Sequence, residues 1–270
     1  GGVSSLPRRS TSRPSRPSSA HLRALPPDSE RPERVRAWPY LLVGVLAGPL
    51  LVLAFVRGAV WGRGAIAHEL GHTAAAWLAG SPALPRLAPG HDADTLSGQQ
   101  SLPLALALCA LVARLPWRAW RRDASPGVKA VTLALAALYP LVIFTGVREV
   151  IFLLAGHGFE LAFAAVGFWR AYTGGFTHSN VERAAYSVCA WLILAANTAL
   201  FGGLVVSRAA RAEYLAGSPS GWPNDLVRVA STWGMSLPAV ASLALVVAVG
   251  VLPLSVAIAR ASVARHGTSR

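Results

Sequence analysis

The chain has 270 residues, 53% of them hydrophobic and only 14% charged, about half the charged share of an ordinary soluble domain. That balance excludes a conventional soluble enzyme and points to a polytopic membrane protein. The net charge of +13 would indicate nucleic acid in a soluble chain, but here the arginines gather at the termini and between apolar runs. Such clusters set topology and meet anionic headgroups, so the expected partner is the lipid bilayer and no nucleic acid.

Residues 1–36 are rich in Ser, Pro and Arg and read as a disordered tail held on the cytoplasmic side. A membrane domain is expected over 37–260, followed by a short tail at 261–270. Its first span covers 37–60, with Trp38, Tyr40 and Trp61 near the ends, where aromatic rings favour the interface. A helix over 64–80 follows. The stretch 81–100 is too polar and too rich in Pro and Gly to cross alone, so it reads as a loop or a re-entrant hairpin. An apolar segment over 101–115 leads into a basic connection with Arg114, Arg118, Arg121, Arg122 and Lys129. Helices are then expected over 128–146, 149–170, 185–207 and 236–259, with a mixed, polar stretch at 208–235. No internal repeat stands out.

Taking every apolar segment as a crossing would put the basic connection outside, against the positive-inside tendency. If either 64–80 or 101–116 fails to cross fully, about six spans remain, and the tail, the basic loop and the C-terminus all face the cytoplasm. The expected fold is therefore an all-α transmembrane helical bundle. Lysine occurs once, at Lys129, against abundant Arg, Ala and Pro, which suggests a GC-rich genome and a bacterial cell membrane. Cys109 and Cys189 lie singly in apolar segments and read as small packing or lipid-facing residues rather than a disulfide or metal framework.

The chemistry is concentrated in His68-Glu69-Leu70-Gly71-His72, set among Ala, Leu and Trp. On a helix, positions i and i+4 lie about 40° apart around the axis, so both imidazoles can reach one cation. This is the HExxH spacing of zinc hydrolases, in which the Glu takes a proton from water at the open metal position. A chance match is short and common in soluble chains. Two His and a Glu within a membrane segment are costly to bury and so argue for Zn2+.

A catalytic zinc usually takes three protein ligands. The favoured source of the third is Gly156-His157-Gly158-Phe159-Glu160, in another apolar helix. His157 and Glu160 stand at i and i+3 on one face, one to serve as ligand and the other as its partner, with His157 the first choice and glycines permitting close helix approach. The bland alternative is that the two simply hydrogen-bond each other. His91, Asp92 and Asp94 are further candidates, read first as a solvated loop. Asn197 is expected to satisfy a neighbouring helix, and Arg148-Glu149 to mark a turn at the interface. His21, His178 and His266 lie in polar flanks and need no role.

The motif, its Gly before the second His, the single preceding span and the polar hairpin after it resemble the site-2 protease family of intramembrane zinc metalloproteases. The specific likeness covers about residues 60–85. The resemblance implies zinc ligation by His68 and His72, Glu69 as general base, and a membrane protein or peptide substrate. In that family the third ligand is an Asp in a later span, in an Asn-rich, Leu-Asp-Gly-like segment. Here the counterpart at 195–203 has the Asn and glycines but no Asp, and the Gly-His-Gly-Phe-Glu segment is expected to replace it. The competing functions are a membrane zinc hydrolase of a lipid or small amide, and a non-catalytic zinc-binding protein or metal transporter. A transporter should spread acidic and His residues along successive spans, whereas this chain gathers them in one place.

Overall fold

The computed structural model describes residues 38–55, 60–86, 94–216 and 224–267, with backbone alone at 49–55, 60–65 and 265–267. The expected tail at 1–36 lies outside these residues. The rest is a helical bundle: α1 (Trp38–Phe55), α2 (Val60–Leu78), a β-hairpin of β1 (Ala83–Arg86) and β2 (Asp94–Ser97), then α3 (Leu102–Arg121), α4 (Pro126–Ile143), α5 (Val147–Thr173), α6 (Asn180–Val206), α7 (Arg208–Leu215), α8 (Asp225–Trp233) and α9 (Leu237–Gly267).

Local sequence explains the helix ends. Pro126 opens α4 directly after Ser125, where a missing N–H costs nothing. Ser179 caps α6 by accepting from the Glu182 N–H, and Glu182 in turn accepts from the His178 N–H. Gly174 and Gly234 stop α5 and α8 in the left-handed conformation, at φ 68° and 63°. The tail expected from 261 is instead helical to Gly267, because Ala-Ser-Val-Ala-Arg contains no breaker before that glycine.

The core is built by α5, α6 and α9, where Leu153, Phe168, Phe201, Leu204 and Ala241 are buried. Helix α8 joins it through Leu226 and Val229, and α1 lies against α6. That second contact is close: a Cβ on Gly44 would collide with Ser187, and one on Gly48 with Trp191. The α3–α4 hairpin attaches through Ala79, Ala105 and Ile143. Gln100 donates to the carbonyls of Ala79 and Ile143, tying the start of α3 to the ends of α2 and α4.

Large apolar side chains also cover the outside. Leu106 on α3, Leu133 on α4 and Val246 and Leu254 on α9 are all more than half exposed. A water-facing surface does not carry such a continuous apolar coat, whereas a lipid-facing one does. Among the described residues, five helices (α3, α4, α5, α6 and α9) are long and apolar enough to cross a bilayer, and α1 adds the shorter apolar stretch Trp38–Gly48. The chain is an all-α integral membrane bundle. Cys109 and Cys189 are both free, the latter exposed on the outer face.

Candidate metal centre

Helix α2 places His68, Glu69 and His72 against α5, and glycine makes that packing possible. A Cβ on Gly71 would run into the Ala155 carbonyl oxygen, and one on Gly156 into the His68 ring. The glycine between Glu69 and His72 is therefore a packing requirement of the site. Gly158, expected to serve the same purpose, faces open space.

The two imidazoles converge on a residue that sequence reasoning passed over. His68 Nε2 and His72 Nε2 each lie 3.0 Å from Oδ2 of Asp225, the first residue of α8. His72 Nδ1 donates to the Phe152 carbonyl at 2.7 Å, while His68 Nδ1 faces Glu160 Oε2 at 3.7 Å. Each ring thus meets an oxygen acceptor at both nitrogens. In a neutral imidazole one nitrogen carries the hydrogen and the other a lone pair. With Nδ1–H turned toward Phe152 or Glu160, the Nε2 lone pairs of neutral rings would point at a carboxylate, an opposition that either a bound cation or protonation of the imidazoles resolves. Two imidazoles and one carboxylate have the donor chemistry of a zinc site, and among the described residues the groups whose possible ligand atoms lie within 4.8 Å of one another are His68, Glu69 and His72, and His68, His157 and Glu160.

His157 and Glu160 are brought to the site, but behind His68 rather than between the two imidazoles. Glu160 Oε2 lies 3.1 Å from His157 Nδ1 and accepts from Asn197 Nδ2 at 3.1 Å. His157 Nδ1 also stands 3.0 Å from Asn197 Oδ1, and its ring packs edge-on against His68 with centroids 4.6 Å apart. The first-choice ligand, His157, is engaged at Nδ1 by Glu160 and Asn197, and possible ligand atoms of His68, His157 and Glu160 lie within 4.8 Å of one another. Glu160 stands on the side of His68 away from Asp225, at ion-pair rather than hydrogen-bond distance from His68 Nδ1. Asn197 does satisfy a neighbouring helix, as its place in an apolar span implied. Of the loop candidates, Asp94 pairs with Arg86 at 2.6 Å on the surface, and His91 and Asp92 lie outside the described residues.

Glu69 is buried, with 7% of its surface exposed, and one of its carboxylate oxygens lies within 4.8 Å of ring nitrogens of both His68 and His72. The stretch read as a loop or re-entrant hairpin is the β1–β2 hairpin, paired from Ala83 with Ser97 to Arg86 with Asp94. It lies beside α2, and Thr95 Oγ1 donates to Glu69 Oε2 at 2.6 Å.

No family model, curated protein or solved structure matches this chain. The case for the site rests on its own geometry.

Several features hold Asp225 in place. Leu226 and Val229 anchor α8 in the core, Asn224 Nδ2 donates to the Tyr214 carbonyl at 2.8 Å, and Arg228 reaches Glu149 at 3.3 Å. Burial opposes the charge on Asp225, but the hydrogen bonds and charge of His68 and His72 outweigh it and hold the carboxyl below its usual range. Burial, and then the nearby Asp225 charge, pushes the Tyr214 hydroxyl above its ordinary pKa. The sequence carried one faint signal for Asp225. The segment Asn224-Asp225-Leu226 offers the Asp that 195–203 lacks, but an acidic residue opening a short amphipathic helix reads equally well as a dipole partner.

Proposed function

We propose that this protein is an integral-membrane zinc metallopeptidase that cleaves a peptide bond of a membrane protein or peptide. Its zinc would be held by His68, His72 and Asp225. The observation that carries this reading is the convergence of both Nε2 atoms on Asp225 with the Glu69 carboxylate alongside. Asp225 also supplies the carboxylate that the likeness to the site-2 protease family calls for.

Bound zinc supplies Lewis-acid chemistry, making water more acidic and polarising the scissile carbonyl. The chain does the rest. Glu69 takes the proton from the attacking water and returns it to the departing amine. Phe152 and Glu160 fix the orientation of the two imidazoles, and His157 with Asn197 keeps Glu160 in place. Helices α2 and α5 wall the site with apolar side chains, which strengthens each electrostatic contact within it. The distribution of arginine favours an N-terminal tail in the cytoplasm, and the Arg-, Ala- and Pro-rich composition favours a bacterial cell membrane.

The test is to compare the wild type with Glu69→Gln and His72→Ala in expressing cells. Zinc is measured on the purified proteins, and new N-termini in the membrane fraction are measured by mass spectrometry. Glu69→Gln should keep its zinc and lose cleavage by about 10²–10⁴-fold, the usual effect of removing a general base. His72→Ala should lose both. Loss of zinc in Glu69→Gln, or N-termini that do not depend on Glu69, would show the reading to be wrong.

A further inference from the structure

The ligands and the base of this site are held by different elements. His68, His72 and Asp225 are placed by α2 and α8 against α5, whereas the Glu69 carboxylate is held by the β-hairpin. Thr95, on β2, points its hydroxyl at Glu69 Oε2 at 2.6 Å, with the Glu69 backbone carbonyl a second acceptor at 3.1 Å. A hydroxyl has one hydrogen to give, and the shorter contact to a carboxylate is the stronger, charge-assisted one. Oε1 of Glu69 has no hydrogen bond to any described residue.

We propose that Thr95 is a positioning residue for the general base, which makes the β1–β2 hairpin a working part of the site. The Thr95 hydroxyl fixes rotation of the Glu69 carboxylate by occupying Oε2, and this leaves Oε1 as the oxygen that accepts the proton from water. Buried Glu69 would otherwise have freedom about its terminal torsion, which is broad for a carboxylate. The hairpin is anchored without Thr95: the Trp77 indole N–H donates to the Ala83 carbonyl at 2.7 Å, and the Ser81 N–H, just before β1, to the Ala76 carbonyl at 2.8 Å. Removing the hydroxyl should therefore free the carboxylate and leave the hairpin attached. The inference rests on the peptidase reading and adds a residue that neither the motif nor its spacing contains.

The experiment compares wild type, Glu69→Gln, Thr95→Val and Thr95→Ser, reading zinc content and the same Glu69-dependent N-termini. Val keeps the shape of Thr without the hydroxyl, and Ser keeps the hydroxyl without the methyl. Thr95→Val should retain zinc and cleave about 10–100-fold more slowly, the range typical of losing a partner that orients a site residue. Thr95→Ser should return cleavage to near the wild-type level, a rescue that a purely structural role for Thr95 does not predict. Wild-type cleavage by Thr95→Val, an equal loss in Thr95→Ser, or loss of zinc in Thr95→Val overturns this inference while leaving the peptidase reading intact. Absence of Glu69-dependent cleavage in the wild type removes the peptidase reading, and this inference with it.

Discussion

Asp225 Oδ2 stands 3.0 Å from His72 Nε2, although 153 positions separate the two residues. The carboxylate comes from a short helix outside the candidate spans, whereas the imidazole comes from the HExxH helix. That meeting adds a third acidic group to the neighbourhood of the two imidazoles, beside the His157 and Glu160 that stand close to His68.

The first prediction separates ligand from supporting partner. Asp225→Asn keeps the side-chain shape and loses the charge, so purified protein should hold little zinc by mass spectrometry. Glu160→Gln should weaken zinc about 10–100-fold without abolishing it, since Glu160 acts on the far nitrogen of His68. The reverse order would make Glu160 the ligand.

A second prediction concerns the glycines. Gly71→Ala forces a methyl onto the Ala155 carbonyl oxygen, a backbone atom that cannot turn away, and should cost about 1–3 kcal/mol. Gly156→Ala pushes into the His68 ring and should lower zinc content as well as stability. Gly158→Ala meets nothing within 4 Å and should unfold at or slightly above the wild-type temperature. Thermal unfolding in detergent ranks the three.

The supports of α8 should differ in weight. Asn224→Ala removes a side-chain hydrogen bond to the Tyr214 carbonyl at the residue before the ligand. A loss of about 0.5–1.5 kcal/mol there should weaken zinc severalfold. Arg228→Ala breaks an exposed ion pair with Glu149, which is worth at most about 1 kcal/mol, and should leave zinc binding nearly unchanged. Competition with a chelator of known affinity measures both.

Topology can be tested independently of the metal. With Cys109 and Cys189 replaced, single cysteines in the N-terminal tail and in the turn between α3 and α4 should be labelled from the same, cytoplasmic side. Labelling from opposite sides would mean that α2 crosses fully and that the arginine distribution does not set the orientation.

The amino-acid sequence by itself determined the class of fold, because a helix that meets lipid must be apolar along its whole length and must bond its own backbone. Apolar runs therefore reported α4 and α5 to within three residues of their ends, whereas α6 begins five residues before its expected start and α9 runs eight past its expected end. The HExxH spacing placed His68 and His72 together for the same local reason, since residues four apart share a helical face. The polar stretch after α2 announced its hairpin through its Pro and Gly content and its lack of helical pattern. What no local pattern held was the partner across the bundle. Asp225 sits in a mixed, polar stretch where one carboxylate looks like any helix-start acid, and Thr95 is one hydroxyl among the small polar residues of a loop. Their roles depend on where α8 and β2 come to rest, and that is set by burial of Leu226 and Val229 and by the anchoring of the hairpin at Trp77. The buried His157–Glu160 pair drew attention because ionisable groups in an apolar helix are costly, and that cost is offset by mutual bonding with Asn197 and contact with His68. Only the tertiary structure decided which acidic group lies beside which imidazole, because that depends on which oxygen faces which nitrogen across the bundle.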